Sequence, residues 1–151
     1  MRALLGIAAI AVATCALSGC DGWREETAPD TLSVVTVGFR RGLTSDYVLQ
    51  VSNLSAAQGI EAKVHAVNAG RSKDSAWFVI PAAGMKDIGR IEMGWGFSVG
   101  DRGSVTVASH PTIAYFAVLP NGKCGVLYSK AKMSDEELAK VDFSAALRDV
   151  R

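Results

Sequence analysis

This sequence is short of the raw material for several kinds of chemistry. It has only two histidines, His65 and His110, and neither has a cysteine, aspartate or glutamate at metal-ligand spacing. A local zinc site is therefore not expected. No serine stands in a Gly-x-Ser-x-Gly or Ser-x-x-Lys pattern, so the familiar activated-serine signatures are missing. The glycines around Trp95 and Phe97 lack the lysine and the strand-to-helix setting of a phosphate loop. Charge of one sign is also lacking: 16 Lys and Arg face 15 Asp and Glu, which gives no electrostatic footprint for nucleic acid. No catalytic residue, metal or cofactor is assigned, and the chain reads as non-enzymatic.

Long apolar runs are missing too. The longest, Ala3 to Ala16, falls short of the roughly 20 residues a membrane-spanning helix needs. It has the length of a signal-peptide core, preceded by the positive Met1-Arg2. Leu17-Ser18-Gly19-Cys20 follows: an aliphatic residue, two small residues, then cysteine. This resembles the lipobox of bacterial lipoprotein precursors. The resemblance implies cleavage between Gly19 and Cys20, with diacylglycerol on the Cys20 thiol. Two or three acyl chains hold a protein on a membrane far more firmly than one. The implied location is a bacterial membrane, facing the periplasm. Asp21 leans toward retention in the inner membrane, although Gly22 does not reinforce that signal.

Cleavage removes Arg2, the one charged side chain of residues 1–19, and leaves 15 basic against 15 acidic residues. It also removes Cys15. With Cys20 lipidated, Cys124 remains alone, so no disulfide forms within the mature chain. A lone cysteine inside a strand pattern reads as a small buried hydrophobe.

The remaining composition, 49% hydrophobic and 21% charged, is that of a folded domain. Four segments are expected: a signal peptide over 1–19, a lipidated tether over 20–30, a β domain over 31–130 and a helical segment over 131–151. The tether is polar and broken by Gly22 and Pro29. Strand patterns cover Leu32 to Phe39, Tyr47 to Asn53, Ile60 to Asn68, Ala76 to Ile80, Lys86 to Gly94, Ser104 to Ala108 and Ile113 to Leu119. A polar loop is expected from Ala69 to Ser75, and a turn over Gly100-Asp101-Arg102-Gly103. The last of those strands is continuously apolar, as suits a strand covered on both faces. Asn121-Gly122 tolerates the positive φ of a type I′ turn, so Cys124 to Ser129 returns antiparallel. Ser134 and Glu137 form a capping box, with Met133 and Leu138 at the staple positions. A short helix from about Asp135 should dock on the sheet through Leu138, Val141, Phe143 and Leu147.

Seven or eight short strands at this spacing imply a mainly β, antiparallel sandwich with a short C-terminal helix. Tyr47 to Ser55, Ile80-Pro81, Asp87-Ile88-Gly89, Gly94-Trp95, Phe97 and Gly100-Asp101 resemble small immunoglobulin-like modules of bacterial envelope proteins. That resemblance spans about residues 32 to 108 and rests on structural residues. It implies an immunoglobulin-like sandwich that binds or scaffolds another envelope component through sheet edges and end loops. A second reading is a small-ligand or glycan binder that uses Trp95 and Phe97 as an aromatic platform. Packing is the simpler role for both rings, and Trp77 also reads as core.

Overall fold

The computed structural model describes residues 34–68 and 70–144. The signal peptide, the Gly19–Cys20 junction, the tether and Leu147 lie outside the described residues. Nine strands appear among those described: β1 (Val35–Arg41), β2 (Tyr47–Asn53), β3 (Ile60–Asn68), β4 (Arg71–Asp74), β5 (Phe78–Ile80), β6 (Met85–Ile88), β7 (Arg102–Val107), β8 (Ile113–Val118) and β9 (Cys124–Ser129). Two short helices, α1 (Arg90–Met93) and α2 (Asp135–Ala139), complete them. One sheet has the order β1-β2-β6; the other runs β4-β3-β7-β8-β9, with β5 also on β3. Every named pairing is antiparallel. The chain is mainly β, as its alternation implies.

Period-two patterning explains the strands that matched expectation. On β3, Ala62, Val64 and Ala66 are buried, while Glu61, Lys63 and His65 face outward. β2 buries Leu49 and Val51 in the same way. Strands from both sheets close on one core, in which Phe39, Phe97 and Phe116 meet with ring centroids 5.5 to 5.9 Å apart in tilted and edge-on contacts. Phe97 reaches it through a backbone bridge to Tyr47.

The structure corrects several expectations. The polar loop Ala69–Ser75 contains strand β4, all four residues of which are exposed. Gly70 (φ 84°) turns the chain back onto β3, and backbone pairing then makes a strand with no apolar face to announce it. Counting β4 raises the number of strands from the expected seven or eight to nine. The stretch Lys86–Gly94 splits after Ile88. There the Gly89 N–H donates to the Glu92 carboxylate at 2.8 Å and Gly94 (φ 81°) ends α1, so Gly89 starts a helix rather than interrupting a strand. The expected Gly100–Gly103 turn lies earlier, closed by Asp101 N–H to Ser98 O, and β7 has begun by Arg102. The β8–β9 hairpin forms, with Asn121 and Gly122 at φ 67° and 74°. Its loop has three residues, because Pro120 enters it and Leu119 N–H bonds Lys123 O, so it is not a two-residue type I′ turn.

β8 alternates between two cores. Ala114, Phe116 and Val118 face the other sheet; Tyr115 and Ala117 face outward, under Leu138 and Phe143. The capping box holds as expected: Glu137 N–H donates to Ser134 Oγ, and Ser134 N–H to Glu137 Oε1. Met133 and Leu138 pack in the same outer cluster. The Tyr115 hydroxyl donates to Ala131 O and accepts from Met133 N–H, both at 2.8 Å. Arg102 donates to Leu138 O and Val141 O, both at 2.7 Å, with its guanidinium over the Phe143 ring.

Truncating Phe116 removes the ring shared by two of the three aromatic contacts in the core. Phe116→Ala is expected to cost about 3–5 kcal/mol, measured by denaturant unfolding. A loss below 1 kcal/mol would show that the core does not depend on this ring.

Candidate functional site

The two aromatic candidates part company. Phe97 is fully buried in the core and offers no surface to a ligand. Trp95 is half-buried, its ring lies under the Arg71 guanidinium at 4.8 Å, and its indole N–H is buried without a hydrogen-bond partner. A two-ring platform is therefore not formed. Trp77 reverses expectation in the other direction. Ile80 points into the core, so alternation sets Val79 and Trp77 on the outer face, where Trp77 is 48% exposed with the Lys63 ammonium 5.2 Å from its ring.

His65 has more partners than its isolation in sequence suggests. Its Nδ1 lies 2.5 Å from Asp74 Oδ1 on β4, and its Nε2 lies 2.8 Å from Asp135 Oδ1 on α2. Lys63, beside it, lies 3.7 Å from the other Asp74 oxygen. A neutral imidazole carries one N–H, so donating to both carboxylates requires the imidazolium. Partial burial pulls the His65 pKa down, but the hydrogen bonds to Asp74 and Asp135 and their negative charges outweigh it and raise the pKa above 6.5. The arrangement ties β3 and β4 to the first turn of α2. His110 has a smaller role: its Nδ1 accepts from Thr112 N–H in the β7–β8 turn.

Cys124, expected to be a small buried hydrophobe, is partly buried and packs against the main core. Burial pushes its thiol up to about 12, which suppresses the thiolate that any nucleophilic or redox role would need. Asp101 is buried and structural. Its Oδ2 accepts from Asn68 Nδ2 and Ser98 N–H, while burial raises its pKa above the usual carboxylate value. Among the described residues no three metal-ligating side chains gather.

The most distinctive surface lies at the end of the domain remote from Val35. Leu43, in the β1–β2 loop, and Ile91, on α1, are 103% and 95% exposed. Between them runs a mainly apolar groove of about 390 Å³, floored by Tyr47, Val48 and Gly89. Neither knob hangs on a loose loop. Gly42 N–H bonds Asp46 O, Thr44 Oγ1 donates to the Asp46 carboxylate, and Arg90 of α1 reaches that carboxylate at 2.9 Å. The carboxylate packs against Gly96, where a Cβ would collide with it. Arg40 pairs with Asp87 at 2.9 Å, and Arg41 lies over the Tyr47 ring. A larger groove of about 630 Å³ opens at the opposite end, beside Val34, Ile60, Val79 and His110.

Sequence reasoning missed Leu43 and Ile91. The available signal was an aliphatic residue inside a turn, Gly42-Leu43-Thr44, and an isoleucine in a stretch read as strand. Comparison with protein-family models, curated proteins and solved structures finds no match to this chain.

The raised His65 pKa has a definite pH consequence. Its contribution to stability is fully present below pH 6.5 and is lost as pH rises through the folded-state value. An NMR titration of the His65 ring is expected to show a midpoint above 6.5, brought down by Asp135→Asn. A midpoint at or below 6.5 in the unaltered chain would refute the double carboxylate contact.

Proposed function

We propose that this chain is a lipid-anchored protein of the bacterial envelope, whose β domain is a non-enzymatic binding or scaffolding module. The anchor is carried by one observation: Leu17-Ser18-Gly19-Cys20 stands directly after a short apolar segment at the N-terminus. On this reading Cys20 becomes the first mature residue and holds the domain on the periplasmic face, with Asp21 favouring the inner membrane. Among the described residues no helix is long and apolar enough to cross a membrane.

The domain is read as an immunoglobulin-like sandwich. The two antiparallel sheets, their shared core and the sequence resemblance over about residues 32 to 108 support this. Its role as a contact module is supported by the exposed pair Leu43 and Ile91. Large aliphatic side chains scattered singly on a surface need no explanation, but two flanking an apolar groove form the kind of patch that interfaces use. β1 runs from Val35 to Arg41, a span of about 20 Å at roughly 3.3 Å per residue, so the pair lies at the opposite end of that strand from Val35.

Metabolic palmitate labelling tests the anchor. The full chain is expected to incorporate label and to accumulate as precursor under globomycin, while Cys20→Ser abolishes labelling. Continued labelling of Cys20→Ser would overturn the anchor.

A further inference from the structure

We infer that the C-terminal cover of β8 is a flap biased by one proton on His65: it is held shut by the imidazolium and opens more often when the ring is neutral. The inference stands apart from the anchor and from the surface at Leu43 and Ile91.

His65 sits where three elements meet, with Asp74 of β4 on one ring nitrogen and Asp135 of α2 on the other. Loss of the proton affects the two carboxylates unequally. Asp74 keeps its place, because the β-ladder sets it opposite His65 and the Lys63 ammonium lies 3.7 Å from its other oxygen. Asp135 has neither support: it opens a five-residue helix that no strand pairing holds. A neutral ring offers it at most an uncharged hydrogen bond, and with the ring N–H on Nδ1 it meets a lone pair instead. Either tautomer removes the attraction between imidazolium and carboxylate, so the loss falls on α2.

The other groups around His65 are uncharged or committed elsewhere. On β7, Ser104 stands opposite it, and Arg102, two residues along, donates to Leu138 O and Val141 O. Arg71 and Lys73 of β4 lie beside Trp95 and Gly94. On α2, Glu137 turns back to Ser134 N–H in the capping box, and Glu136 is exposed.

Lifting α2 uncovers the second core. Leu138 and Phe143 lie on Tyr115 and Ala117, with Ile113 and Leu127 beside them, so an open flap presents an apolar sheet face. Burial of Leu138 and Phe143 also favours the closed form, and the His65 side chain is 32% exposed, so the proton biases the opening and does not decide it alone. The raised His65 pKa gives the direction: opening increases as pH climbs through the folded-state value.

The test is hydrogen exchange on the full chain in detergent, read by mass spectrometry and corrected for the intrinsic rate at each pH. The amides of Leu138, Lys140 and Val141 are hydrogen-bonded within the cover and report its opening. Residues 134–141 should be less protected than β2 at every pH, as a flap that opens without unfolding the domain requires. Their protection should fall about two- to fivefold between a pH well below the His65 midpoint and one well above it, the range an exposed ion pair supplies. Asp135→Asn should remove that fall, while Glu136→Gln, on the same turn, should leave it in place. Protection equal to that of β2 would mean that the cover opens only with the whole domain, and overturns the inference. So does protection that ignores pH, or a pH dependence that Asp135→Asn does not reduce.

Discussion

A strand with apolar side chains on both faces has to be covered twice. β8 is that strand: Phe116 and its neighbours need one cover, Tyr115 and Ala117 another. The β1-β2-β6 sheet supplies the first, bringing Phe39 against Phe116 and drawing Phe97 in through its bridge to Tyr47. The C-terminal segment supplies the second, with Leu138 and Phe143 seated on the outer face. The rest of the architecture follows from these two demands. The second cover can be a short helix and a single further ring because Arg102 and the Tyr115 hydroxyl fix their backbone.

Much of this was legible in the sequence because alternation is itself a packing instruction. β2 and β3 appear with the boundaries their patterns imply, and the Ser134–Glu137 box announced α2. What stayed hidden was structure made by backbone alone. β4 has four exposed side chains and forms because Gly70 reverses the chain beside β3, so no periodicity marks it. Trp77 was misplaced because composition says only that a tryptophan is usually buried, whereas alternation from Ile80 decides its face. The surface at Leu43 and Ile91 was hidden for a different reason. It unites residues 48 positions apart, brought together by the pairing of β2 with β6 and by the Asp46–Arg90 contact.

His65 shows how a residue that looks isolated in sequence acquires chemistry from topology. Asp74 is brought opposite it by β-pairing, and Asp135 by the capped start of α2. Neither lies at a spacing that a local motif would reveal. The result is a tie between the sheet and its outer cover that depends on a proton, alongside the contacts made by Arg102 and Tyr115. The outer cover therefore has one contact that responds to pH.

The placement of that cover also orders the life of the chain. Residues 131–143 are made after β8 and β9, and until they arrive the outer faces of those strands present Ile113, Tyr115, Ala117 and Leu127 to solvent. The final hairpin is an unfinished surface during that interval, open to any apolar companion, including another unfinished chain. Closure of the second core waits on this segment, and a chain that stops before Met133 leaves β8 covered on one side only.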